Sequence, residues 1–171
     1  MSKPIFPPCA MAGQMASIVL RGQSGLLWRT YTLCSDNKIH QIAMNDPNTL
    51  QFVDNLIGGP TPMPNSPIAA VSWGVTNFQA RLFYFTEDCK VQEMYYTQLL
   101  ARSIPGWEVT STIGDVVPGS VALYAQVAAN GDNLEEVRVG YQSPSNPETI
   151  TESYWVGVGP WKTRTYPKEM N

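Results

Sequence analysis

Apolar and polar residues alternate along this chain in short runs, and the runs stop at Gly, Pro, Asn or Asp. A helical stripe, with apolar positions three and four apart over several turns, is weak everywhere. The alternation predicts strands at 15–20, 27–33, 39–44 and 50–54. A second group follows at 68–73, 80–85, 91–96 and 107–112, and a third at 121–127, 137–142, 150–155 and 161–165. The pattern is three sets of four.

The sets align on one another. Arg29-Thr30-Tyr31, Arg81-Leu82-Phe83-Tyr84 and Arg138-Val139-Gly140-Tyr141 fall on the same strand of each set. After a turn come Ile39-His40-Gln41, Val91-Gln92-Glu93 and Ile150-Thr151-Glu152. The arginines lie 52 and 57 residues apart, and the acid or amide follows its arginine by 12, 12 and 14 residues. A repeat of about 50 residues with four strands per unit is the sign of a β-propeller blade. The chain is therefore expected to be all-β, with an N-terminal extension over 1–14, blade one at 15–60, a connector at 61–67, blade two at 68–118, and blade three with the C-terminal tail at 119–171. The Pro-rich stretch 58–67 should be extended rather than folded.

Composition supports the β reading and removes several function classes. The 171 residues are 43% apolar but only 15% charged, with 13 Gly and 14 Pro, a mixture poor in helix formers and rich in turn residues. A net charge of −3 argues against both disorder and a polyanion-binding face, so no nucleic-acid partner is expected. No apolar run is long enough for a membrane helix, and residues 1–17 lack the pattern of a secretory signal. Cys9, Cys34 and Cys89 are too few for a disulfide framework or a zinc site; the odd count favours reduced thiols and a cytoplasmic setting. His40 is the only histidine, which removes most His-based catalysis and metal ligation. There is no phosphate loop, nucleophile elbow or metal-ligand spacing, so no cofactor is expected. Asp132, Glu135 and Glu136 read as a solvated loop, and Trp73, Tyr31, Tyr84 and Tyr141 as packing residues.

The run Ser66-Pro67-Ile68-Ala69-Ala70-Val71-Ser72-Trp73, with Arg81-Leu82-Phe83-Tyr84 and Val91-Gln92-Glu93 after it, resembles the fungal fucose-specific lectin family, which is related to short bacterial fucose lectins. Unit three matches best, through Arg138, Ile150-Thr151-Glu152-Ser153-Tyr154-Trp155 and Trp161. The resemblance implies six-bladed propellers with fucose held between neighbouring blades. An arginine and a glutamate of one blade would grip the sugar oxygens, and aromatics would cover its apolar face. The chemistry is reasonable: Arg brings only donors, Glu only acceptors, and Trp a large flat surface. Carried over by residue, unit three keeps Arg138, Glu152, Trp155 and Trp161. Unit two keeps Arg81 and Glu93, with Tyr96 and then Trp107 after a longer loop at 97–106. Unit one keeps Arg29 but has Gln41 for the acid, Met44 and Phe52 for the aromatics, a degenerate site. Trp155 follows Glu152 by three and so faces the opposite side of a flat strand; it serves a site only by reaching across or by lining the next pocket.

The leading expectation is thus a lectin for a fucosylated glycan or related neutral sugar. The alternative is a cofactor-free enzyme on the same fold, a cyclase, isomerase or cycloaddition catalyst of fungal secondary metabolism acting on a small apolar metabolite. Glu93 or Glu152 would then move protons and Arg81 or Arg138 would polarise a carbonyl. A ligand-free structural module is the third possibility. Three blades are fewer than the four to eight that close a propeller, so a homodimer completing six blades is expected.

Overall fold

The computed structural model describes residues 14–22, 25–46, 48–49, 51–97 and 106–167. The N-terminal extension (apart from Gln14), Leu50 and most of the 97–106 loop lie outside the described residues. Among the described residues twelve strands form: β1 (Met15–Gly22), β2 (Gly25–Leu33), β3 (Ile39–Met44), β4 (Val53–Ile57), β5 (Ile68–Trp73), β6 (Gln79–Phe85), β7 (Lys90–Thr97), β8 (Glu108–Asp115), β9 (Leu123–Asn130), β10 (Asn133–Ser143), β11 (Asn146–Val156) and β12 (Lys162–Thr165). They pair antiparallel into three four-stranded meanders, β1–β4, β5–β8 and β9–β12. The innermost strands lie side by side, β1 against β5 and β5 against β9, so the blades fan out from a common axis. This is the expected set of three propeller blades. Among the described residues no helix is long and apolar enough to cross a membrane.

Strand periodicity decides what each blade face meets. Side chains alternate across a strand. On β6, Ala80, Leu82 and Tyr84 join a core with Ile18, Leu20, Tyr31, Leu33, Ile39 and Ile57 of blade one. Phe83 and Phe85, on the opposite face, join a second core with Val137, Val139 and Tyr141 of blade three. Blade two is covered on both sides, so β6 can run apolar through Leu82-Phe83-Tyr84-Phe85, all four buried. Among the described residues, blades one and three are covered on one side only. The outward face of blade one exposes Met15, Val19, Leu26 and Trp28.

Several local expectations change. The connector is not simply extended: Ser66 N–H donates to Met63 O in a turn with Asn65 at φ +60°, and Met63 N–H donates to Phe85 O. Ser66 is fully buried, and its hydroxyl accepts the Phe85 N–H at 2.7 Å. The prolines therefore lead into a pinned turn. Asp132 is not merely solvated. Its carboxylate accepts the N–H groups of Val75, Thr76 and Asn77, clipping the β9–β10 turn of blade three to the β5–β6 loop of blade two. Glu136 lies on β10 and pairs with Arg138. Cys34 is disulfide-bonded rather than reduced, whereas Cys89 is free.

His40 bridges blade one internally. Its Nδ1 lies 2.9 Å from Asp54 Oδ1 on β4 and its Nε2 3.2 Å from Asp36 Oδ2 in the β2–β3 turn. Burial alone would lower the imidazole pKa, but the two carboxylates outweigh it and hold it above its ordinary value. A raised pKa means that the folded state binds the proton more tightly. The resulting stabilisation is complete below about pH 6.5 and fades as pH rises through the folded value. Thermal unfolding should show a midpoint that declines over that window, and His40→Asn should remove the decline. At the blade interface, Leu82→Ala should cost roughly 2–5 kcal/mol in denaturant unfolding, because the side chain is fully buried between blades.

Candidate functional site

The best-formed cluster lies between blades two and three. β6 and β7 pair with Arg81 opposite Tyr95 and Phe83 opposite Glu93, so Arg81 and Glu93 are diagonal neighbours on one face. Arg81 Nη1 donates to Glu93 Oε1 in a direct ion pair. The second carboxylate oxygen accepts the Thr110 hydroxyl of β8 at 2.8 Å. The guanidinium carbon sits 5.7 Å from the Trp73 ring, 5.6 Å from Tyr95 and 5.4 Å from Trp155 of blade three. Cations favour such aromatic faces. Arg81 Nε is buried without a hydrogen-bond partner among the described residues. The cavity, about 570 Å³, is walled by Arg81 and Glu93 on one side and by Trp155, Gly159, Pro160 and Trp161 on the other. Trp155 is braced by its indole N–H, which donates to Gly159 O at 2.8 Å.

The grouping differs from the one expected within unit three. Trp155 and Trp161 do not stand with Arg138 and Glu152. They face back across the interface to Arg81 and Glu93, the next-pocket arrangement that strand periodicity allowed. The same offset recurs between blades one and two. There Arg29, Tyr31 and Gln41 share a cavity of about 560 Å³ with Phe78, Tyr96 and Trp107 of blade two. Each pocket thus takes its polar grip from one blade and its aromatic wall from the following one. Trp107 and Trp161 each lie just before the outermost strand of their blade, β8 and β12, as Phe52 lies just before β4.

Arg138 and Glu152 lie on the outward face of blade three and do not bond to each other. Arg138 makes a two-point pair with Glu136, Nε to Oε1 at 2.8 Å and Nη2 to Oε2 at 3.0 Å. Glu152 is fully buried, and its carboxylate accepts from Arg164 Nε at 2.7 Å and from the hydroxyls of Tyr124 and Tyr166, each at 2.8 Å. Tyr124, Tyr166 and Arg164 were not singled out from the sequence. One signal was available: Gly140 stands where the other units have Tyr31 and Phe83. A Cβ at Gly140 would come within 2.0 Å of the Tyr124 ring, so the glycine makes room for that tyrosine to cross the sheet. Burial pushes the Glu152 pKa up, but the three donors more than offset it and hold the carboxyl below its ordinary value. An ionised carboxylate with its oxygens so occupied is a poor proton shuttle.

Cys34, Asp36 and His40 cluster closely enough to suggest a metal. The disulfide at Cys34 removes its thiolate, and both His40 nitrogens are held by Asp54 and Asp36. That group is structural.

No family model and no curated protein matches this chain. Solved structures do match its fold. The fucose-binding lectin of Aleuria aurantia, a six-bladed β-propeller, superposes with a TM-score of 0.73 at 21% identity over 93% of this chain and 50% of that one. SapL1 lectin, solved with α-methyl fucoside, gives 0.69 at 23% identity over 88% of this chain and 47% of that one. A fucose lectin from Kordia zhangzhouensis, solved with methyl-fucoside, gives 0.67 at 18% identity over 89% of this chain and 98% of that one. The chain thus spans about half the length of the six-bladed Aleuria protein and nearly all of the Kordia one.

The Glu152 cluster is open to direct test. Because its folded pKa is depressed, it stabilises the fold above the ordinary carboxylate range and loses that contribution as pH falls through the folded value. Replacing Tyr124 and Tyr166 together by Phe removes two donors. Carboxyl-carbon NMR should then show the Glu152 pKa moving upward, and acid unfolding should begin at higher pH.

The fold is therefore that of a β-propeller, of which this chain supplies three four-stranded blades.

Proposed function

We propose that the protein is a lectin that binds L-fucose or a closely related neutral sugar in the pocket between blades two and three. The observation that carries this reading is the Arg81–Glu93 pair faced across the interface by Trp155 and Trp161. The pair offers donors and acceptors side by side, as vicinal hydroxyls require, and leaves no unpaired charge for an uncharged ligand to cover. The indoles offer flat apolar area to the sugar's methyl-bearing face. The fold neighbours that bind fucosides add support. The enzyme reading has no such support: three donors hold the Glu152 carboxyl below its ordinary pKa, and the two Glu93 carboxylate oxygens accept from Arg81 and Thr110.

Two copies would close a six-bladed ring, the outward face of blade three on one meeting that of blade one on the other. The exposed Met15, Val19, Leu26 and Trp28 face supplies the apolar surface such contact needs. Sedimentation at micromolar concentration should give the mass of two chains, and a monomer there overturns the assembly. Titration calorimetry with methyl α-L-fucoside should show binding that Arg81→Ala or Trp155→Ala weakens by about tenfold or more, the scale of a lost charged hydrogen bond or stacking surface. A folded sample that shows no heat at millimolar fucoside defeats the reading.

A further inference from the structure

The pocket between blades one and two keeps the architecture of its neighbour but not its charge balance. Arg29 stands in the place of Arg81, and Gln41 in the place of Glu93. Among the described residues, the hydrogen-bond partners of Arg29 are all uncharged: Nη1 donates to Trp28 O at 2.7 Å and Met44 O at 3.2 Å, and Nη2 to Asn45 Oδ1 at 3.1 Å. None of the described lining residues is acidic; the polar ones besides Arg29 and the tyrosines are Gln41 and Asn55. The guanidinium is half-buried, and burial lowers its pKa, the mark of a cation short of solvent and of a compensating anion. A second observation lies across the same cavity. The Trp107 indole N–H is buried and has no hydrogen-bond partner among the described residues. An unsatisfied buried donor costs free energy unless a ligand supplies the acceptor. Between these donors stand aromatic surfaces: Tyr96 stacks on Phe78 with ring centres 5.5 Å apart, and Trp107 leans on Tyr96 at 5.8 Å and meets Tyr31 edge-on at 5.4 Å.

We propose that this pocket binds a small carboxylate carried on a ring with an apolar face, an acidic monosaccharide being the form that best fits its similarity to the neighbouring pocket. The carboxylate neutralises Arg29, the ring lies against Tyr96 and Trp107, and the amides of Gln41 and Asn55 serve as neutral partners for hydroxyls. A carboxylate fits Arg29 because its two acceptor oxygens match the fork of guanidinium donors. Replacing the acid by Gln41 therefore changes what the pocket selects, from a neutral ligand to an anionic one. The proposal stands apart from fucose binding between blades two and three: either pocket can fail without the other.

Calorimetric or NMR titration of the full chain with methyl α-D-glucuronide and with methyl α-D-glucoside separates the charge from the ring. The acid is expected to bind at least about tenfold more tightly, and less so as salt is raised. Benzoate against benzyl alcohol asks whether an aromatic ring carries the carboxylate equally well. A preference for the acid in either pair supports the class and identifies its carrier. Arg29→Gln should abolish the preference, and Arg81→Gln should leave it intact. Gln41→Glu, which installs the residue that the other two blades already fold with, should lower carboxylate affinity by about tenfold or more by neutralising Arg29 internally. Equal binding of acid and neutral partner in both pairs, no binding of either acid at about 10 mM, or a preference unchanged in Gln41→Glu, overturns the proposal.

Discussion

A sheet that buries both faces needs a neighbour on each, and this requirement organises the molecule. Blade two meets it: Leu82 and Tyr84 go to one side, Phe83 and Phe85 to the other, and all four are essentially inaccessible to water. Its strands can be apolar at successive positions because neither face is solvated. Blades one and three meet it on one face only. Their other faces differ: Trp28 and Val19 stand outward on blade one, and Arg138 and Glu152 on blade three.

The pockets are a by-product of the same packing. Near the axis β1, β5 and β9 lie close together and apolar side chains fill the space. Sheet twist separates the outer strands, so the rim of each interface holds a cleft. Polar groups on the second and third strands of one blade face it, and the residue preceding the outer strand of the next blade closes it. Binding sites on such a scaffold are necessarily shared between units. No single repeat contains a whole one.

That sharing explains what the sequence made legible and what it did not. The twelve strands follow from alternation and turn residues, and the blade repeat from the spacing of Arg29, Arg81 and Arg138. Trp155 was the instructive case. Period two places it on the face opposite Glu152, so it lines a site only by reaching across or by serving the next pocket, a use that the family resemblance supports and periodicity does not show. The structure sends the ring across the interface to Arg81. The Glu152 cluster was illegible for another reason. Tyr124, Arg164 and Tyr166 are scattered along the chain and converge only when β9, β11 and β12 are in register. The role of Asp132 was hidden likewise, because the backbone N–H groups it accepts belong to another blade.

The three repeats have diverged chiefly in how each arginine is neutralised. Arg81 has the acid of its own face, Glu93. Arg138 has turned to Glu136, two residues back along its strand, which releases Glu152 to Arg164 and two tyrosines. Arg29 has no acid among its hydrogen-bond partners in the described residues. One backbone geometry thus presents a balanced pair, a displaced pair and an uncompensated cation. Since a partly buried charge interacts far more strongly than an exposed one, these differences outweigh the aromatic substitutions that accompany them. The loss of a carboxylate at Gln41, which looks like decay when judged against a neutral-sugar site, is in electrostatic terms the gain of a different one.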